Sequence, residues 1–179
     1  MISIDQSTFL RFPEQGDVPA LYKFKNDHQT SSLLGGFNCG YSYMHLEAWV
    51  QRFNETDSDL LWLIVDKHSN ISFGHVGLYK IDHRIRSAEF AILIGDRDKC
   101  GRGLGKKVSL AIIKFAFLQL NLNRLSLTVL DTNERAVRLY ESLGFVKEGV
   151  LRQSQYKDGK YLDLFCYSLL RADYCHGIS

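Results

Sequence analysis

Three glycines at alternate positions, Gly101, Gly103 and Gly105, stand among the cations Lys99, Arg102, Lys106 and Lys107 in the stretch KCGRGLGKKV (99–108). Glycine lets main-chain N–H groups approach an anion closely, so bare backbone beside positive charge has the composition of a phosphate cradle. Downstream, Leu104, Val108, Ala111, Ile112, Phe115 and Leu118 recur at helical spacing. That spacing puts the glycines at a helix N-terminus, where the helix dipole adds to the attraction for an anion. Two nucleotide patterns fail here. A Walker A loop ending at Gly105-Lys106 needs Gly at Cys100 and Ser or Thr at Lys107. A dinucleotide fingerprint starting at Gly101 needs Gly at Lys106 and a βαβ unit around it. Cys100 has the setting of a reactive thiol, but no His or Asn/Asp partner follows from spacing, and it reads as a small loop filler.

The elements that would carry this loop can be read from periodicity. Two short helices are predicted over GDVPALYKFKND (16–27) and SYMHLEAWVQRFNE (42–55), the second with Ser42 as N-cap, joined by a flexible GGFNCGY. The β-branched runs LLWLIV (60–65), ISFGHVGLYKI (71–81) and SAEFAILIG (87–95) predict consecutive strands. After the glycine-led helix come a strand over RLSLTVL (124–130) and a helix over NERAVRLYESLGF closed by Gly144 at the C′ position. Two final strands flank KDGK, where Asp158-Gly159 is a hairpin signal. This order predicts an α+β fold with a mixed, largely antiparallel sheet, not a doubly wound parallel one.

Composition bounds the function. The 179 residues, 45% of them hydrophobic, suffice for one core, and with no linker or repeat the expectation is a single domain over 1–179. Lys plus Arg (22) nearly balances Asp plus Glu (20), so no global field draws the chain to nucleic acid or a membrane surface, and an anion site must be local. Cys39, Cys100, Cys166 and Cys175 are scattered without a CxxC pair, which predicts reduced thiols and no metal. MISIDQSTFLRF lacks the basic flank and apolar run of a signal peptide, and a cytoplasmic protein is expected. The sequence does not set the oligomeric state, a homodimer being one option.

A second constellation follows the strand 124–130: Asn133-x-x-Ala136-x-x-Leu139-Tyr140-x-x-x-Gly144-Phe145. Together with the glycine loop it resembles the acetyl-coenzyme A binding motifs of the GNAT (Gcn5-related) N-acetyltransferase superfamily, over roughly residues 60–165. The resemblance implies a sheet splayed between the strands 87–95 and 124–130, with acetyl-CoA in the opening. It implies that the backbone of Ile92, Leu93 and Ile94 pairs with the pantetheine arm. Gly101, Arg102, Gly103, Leu104, Gly105 and Lys106 would wrap the pyrophosphate, with Lys99 adding charge, Asn133 beside the pantetheine and Tyr140 pointing at the sulfur. Cys100 departs from the usual Gln or Arg of that motif.

Acetyl transfer to an amine needs a neutral amine, a held thioester, a stabilised oxyanion and a proton for the departing thiolate. An alkyl ammonium titrates near a pKa of about 10.4, so a group must take its proton. Alternation along SAEFAILIG puts Glu89, Ala91 and Leu93 on one face and Phe90, Ile92 and Ile94 on the other. Glu89, working through water, is therefore a candidate base, against the alternative of a strand-edge carboxylate paired with Arg84 or Arg86. His75 and His83 are rival bases, and His75 also reads as a packed core histidine. Tyr140 is the candidate acid, its alternative role being helix packing beside Leu139 and Leu143. An N–H near Leu93 would take the oxyanion.

The acceptor is expected to be a small-molecule amine, in a pocket built from the N-terminal helices, their link and the final hairpin. Phe37, Tyr41, Tyr43, Tyr156 and Tyr161 could stack on a sugar or base and Arg84, Arg86 and Arg152 could meet phosphates, which points to a nucleotide-linked amino sugar. A polyamine or a protein N-terminal amine is the alternative, and NETDSD (54–59) is the acidic run available to a polyamine. Two other classes stay open: a CoA-binding regulatory module without activity, and a nucleotide-binding protein outside the family.

Overall fold

The computed structural model of the protein describes residues 1–32, 34–35, 40–96, 99 and 103–176. The expectations placed on Gly101, Arg102, Cys100, Phe37 and Cys39 lie outside that set. Eight strands form one sheet: β1 (Ile2–Ser3), β2 (Thr8–Arg11), β3 (Leu60–Asp66), β4 (Ser72–Asp82), β5 (Ser87–Ile94), β6 (Arg124–Leu130), β7 (Val146–Lys157) and β8 (Lys160–Leu170). Their spatial order is β1-β2-β3-β4-β5-β6-β8-β7. Every pairing is antiparallel except that of β5 with β6.

That one parallel contact is short. Ser87, Ala88 and Glu89 face Arg124, Leu125 and Ser126, and there the pairing stops. β5 continues to Ile94 bonded to β4 alone, and β6 continues to Leu130 bonded to β8 alone. The sheet is thus open beyond residue 89, as expected.

The α-helices are α1 (Val18–Lys25), α2 (His28–Ser32), α3 (Tyr43–Asn54), α4 (Leu104–Leu118), α5 (Glu134–Ser142) and α6 (Arg171–His176), and a 3-10 turn at Gln15–Asp17 leads into α1. Alternation along the strands divides the core between the two faces. Ala88, Phe90, Leu125, Leu127 and Val129 pack with the α4 residues Val108, Ile112 and Ala116 and with Tyr140 of α5. On the opposite face Leu63, Val65 and Leu93 pack with Leu21 and Phe24 of α1 and Leu46 and Val50 of α3. Among the described residues no helix is long and apolar enough to cross a membrane.

Local signals account for the boundaries. Ser42 Oγ accepts the His45 N–H at 3.1 Å at the start of α3, and Asn133 Oδ1 accepts the Ala136 N–H at 3.1 Å at the start of α5. α5 ends at Gly144, whose φ of +88° a side chain would strain. Asp158 and Gly159 both have positive φ, 49° and 79°, which gives the hairpin turn its strand-matching twist.

Two strands and two helices were not anticipated. β2 is four residues long, too short for periodicity to mark, yet Leu10 on it is fully buried beside β3. α2, HQTSS, carries no apolar stripe and is started by Asp27, whose Oδ2 accepts from the Thr30 N–H and hydroxyl, both at 2.7 Å.

Candidate active site

The open part of the sheet forms a cavity of about 460 Å³. Ile92, Leu93 and Ile94 of β5 make one wall, and Asn133, Ala136, Leu139 and Tyr140 of the α5 end make the opposite one. Gly103, Gly105 and Lys106 at the start of α4 close the top, and Gln29 and Thr30 of α2 with Leu34 close a side. Lys106 and Arg135 bring cations, and among the described residues no carboxylate lines this cavity. A helix N-terminus, glycine backbone and two cations without a competing acid suit a ligand that carries phosphate.

The ladder fixes which way the β5 backbone points. Gly95 N–H donates to Phe73 O at 2.8 Å, and Leu93 lies opposite His75. Antiparallel pairing alternates residue by residue, so Leu93 turns its N–H and C=O toward β4 while Ile92 and Ile94 turn theirs into the cavity. The oxyanion donor expected near Leu93 is therefore better placed at Ile92 or Ile94, because the Leu93 amide belongs to the sheet.

Tyr140 is buried and lines the cavity, with Phe90 and Phe145 edge-on at 6.4 and 5.9 Å. Burial pushes its hydroxyl up to about 12. The hydroxyl stays protonated at any ordinary pH. Asn133 both caps α5 and lines the cavity.

Two of the expected cofactor contacts are directed elsewhere. Lys99 donates to Asp66 Oδ2 at 2.9 Å and lies over the Phe73 ring, so its charge neutralises the β3–β4 turn and does not line the cavity. Leu104 is buried in the core, which leaves only its main chain for a ligand. Arg84 and Arg86 sit on the β4–β5 turn, where Arg86 Nε donates to Asn121 O at 2.7 Å, and Glu89 pairs with neither of them. Tyr43 stacks on Tyr22 at 4.5 Å and Tyr156 packs at a 56° tilt against Tyr161 at 5.0 Å, two separate surface pairs.

Glu89 lies on the other face of the sheet, as alternation predicts, half exposed and bonded to Lys80 Nζ at 2.9 Å. A second cavity of about 290 Å³ opens there over the point where β5 and β6 part. Tyr79, Glu89 and Ala91 line one side, Arg124, Ser126 and Thr128 of β6 the floor, and Glu148 and Cys166 the far side. Glu148 is held at about 2 by hydrogen bonds from Arg124 and Ser168. The two cavities border consecutive residues of β5, Phe90 and Ala91 lining the second and Ile92 the first. An acyl donor in the first and an amine in the second would lie on adjoining stretches of the same strand.

His75 does not reach either cavity. It is buried under α1 and α3, with Trp49 at 5.6 Å and Phe24 at 6.2 Å, and neither ring nitrogen has a hydrogen-bond partner. Burial, reinforced by the Lys25 ammonium, pushes it well below its ordinary value, so the ring stays neutral. Sequence reasoning missed the α2 wall and the second cavity's floor. Asp27, a capping residue ahead of HQTSS, was the available signal for the first. Alternation carried from Leu125 and Leu127 to Ser126 and Thr128 was the signal for the second.

A family model described as the acetyltransferase (GNAT) domain matches residues 8–146. The chain belongs to the GNAT acetyltransferase family. It is an acetyl-CoA-dependent N-acetyltransferase, and the splayed sheet and flanking helices are those of its structural relatives. Spermidine N(1)-acetyltransferase of Vibrio cholerae is 30% identical over 166 residues, 92% of this chain and 94% of that one. The crystal structure of the spermidine N-acetyltransferase from Vibrio cholerae in complex with CoA and spermine superposes with a TM-score of 0.87 at 27% identity, covering 96% of this acetyltransferase and 99% of that chain. A dodecameric structure of the same Vibrio enzyme in an intermediate state matches at a TM-score of 0.82 and 26% identity, over 98% and 100% of the two chains.

Proposed function

We propose that this acetyltransferase moves the acetyl group of acetyl-CoA to a primary amine of a polyamine of the spermidine class. What carries the reading is the pair of cavities on adjoining stretches of β5: one lined by cations with no acid among the described residues, the other bearing the carboxylates Glu89 and Glu148. Likeness to the Vibrio spermidine enzyme along nearly the whole of both chains supports the same acceptor class. The amino-sugar acceptor loses its structural basis, because the arginines and tyrosines assigned to it do not gather at either cavity.

Acetyl-CoA supplies an activated thioester. The start of α4 with Lys106 and Arg135 holds the anionic end, and the Ile92 and Ile94 backbone lies along the pantetheine arm and offers N–H groups to the thioester oxygen. Glu89 takes the ammonium proton through water, which its exposed position at the second cavity permits. Tyr140 gives its proton to the departing sulfur, as its place on the cavity wall and its protonated hydroxyl allow, and regains one through solvent from the second proton that the attacking nitrogen loses as the amide forms. We read residues 1–179 as one domain, since one sheet runs from β1 to β7. β7 is a long edge strand with Val146, Val150 and Leu151 exposed, a surface that favours self-association.

The test is release of CoA thiol from acetyl-CoA with spermidine, spermine, a UDP-linked amino sugar and an N-terminal peptide as acceptors. Polyamine-dependent release with no release to the sugar is expected. Release to the sugar or the peptide alone would overturn the acceptor assignment, and none with any amine despite CoA binding would favour the regulatory reading.

A further inference from the structure

Both carboxylates of the second cavity already have partners, and the two pairs differ. Lys80–Glu89 lies on the rim, with side chains 76% and 50% exposed. Arg124–Glu148 is less exposed, at 36% and 43%, and is two-pronged: Nη1 donates to Oε1 at 2.8 Å and Nη2 to Oε2 at 2.5 Å. Glu148 also accepts from the hydroxyl of buried Ser168 at 2.8 Å. Ser168 stands opposite Ser126, which lines the cavity floor. The carboxylate is therefore anchored by the sheet, while the guanidinium comes from the first residue of β6, at the end of the strand away from the open sheet.

A diamine or polyamine must give up one proton at the acetyl donor while its remaining ammonium groups stay charged and need an acid to meet. Glu89 lies next to the point where β5 and β6 part and is the acid nearer the reaction. Glu148 lies across the cavity, with a fixed orientation and a cation already seated on it. We propose that Glu148 receives the second ammonium of the acceptor and that Arg124 holds its place in the free enzyme, a built-in competitor that the substrate displaces. The proposal rests on the reading that the second cavity takes a polyamine.

Exchange of one cation for another at the same carboxylate avoids stripping a bare charge of water, so the pairing penalises entry of the right substrate only slightly. A monoamine has no second charge to replace Arg124, and the ion pair then stays closed. The pair would thus select for acceptors with two or more amines by disfavouring the others.

The test measures KM for spermidine and for butylamine, at saturating acetyl-CoA, in the wild type, Glu148→Gln and Arg124→Gln, with melting curves to confirm folding. Glu148→Gln should raise the spermidine KM about fivefold and the butylamine KM less than about twofold. Arg124→Gln should lower the spermidine KM about threefold, because the competitor is gone. A structural role for the pair predicts that both variants raise KM together and for both amines, and that result overturns the proposal. Polyamine turnover with KM unmoved in both variants overturns the ion-pair assignment alone. Absence of polyamine turnover in the wild type overturns the acceptor reading, and this proposal with it.

Discussion

Burial leaves the Tyr140 hydroxyl protonated to about 12 and fixes its ring between Phe90 and Phe145, so acid chemistry and packing can be separated at this one residue. Tyr140→Phe keeps the ring and should lower kcat with spermidine by roughly 10²-fold or more, with a melting temperature close to that of the wild type. Unchanged turnover would remove the acid assignment. His75 poses the opposite case, a titratable ring with both nitrogens orphaned in the core. His75→Leu should stabilise the fold by about 1 kcal/mol at neutral pH, because two unsatisfied polar atoms leave the interior, and should keep turnover within about twofold. The pH sign follows from its lowered native value. Below about 6.5 the unfolded chain binds a proton that the native chain refuses, so the wild type loses stability as pH falls, and the variant's advantage should widen below that pH. Denaturant titrations at pH 5 and 8 read this directly.

Elements decide what those residues meet. Gly74 on β4 shows how little room lies behind β5: a Cβ there would stand 2.4 Å from Leu93 O. Gly74→Ala should cost about 1–3 kcal/mol in unfolding free energy and weaken acetyl-CoA binding, since β5 must shift to make way. Binding kept at wild-type strength would mean that β5 does not carry the cofactor. At this scale much was readable in advance. The order of the long strands, the face that carries Glu89, the glycine-led start of α4 and both ends of α5 follow from period, caps and turn residues that act locally. The fate of the cations was not readable. Lys99 is claimed by Asp66, 33 positions away, and Glu89 by Lys80, because sheet pairing brings distant residues side by side and sequence spacing carries no record of it. The same limit hid Arg124–Glu148, 24 positions apart. β2 and α2 escaped for a different reason: each is too short for a period to show, and each is held by partners outside itself.

The whole molecule is built on two half-sheets joined at three residue pairs, with the cavity of about 460 Å³ in the opening. With acetyl-CoA in that cavity as proposed, only the native chain binds it, since the cavity needs β5, α4 and α5 together. At a hundredfold excess over Kd it should add about 2.7 kcal/mol, which for a chain of this size is a rise in Tm on the order of 5–10 °C. A rise that does not grow with acetyl-CoA concentration would argue against binding in the opening. The gap beside β5 has another consequence, in amide hydrogen exchange. Ile92 and Ile94 present N–H groups with no strand opposite them, whereas the N–H of Leu93 between them is tied to β4. In the free protein these neighbours should exchange at different speeds, fast, slow and fast along three consecutive residues. A ligand lying along β5 slows the outer two and leaves the middle one as it was. The strand thus carries its own internal reference for occupancy of the cavity, legible one amide at a time.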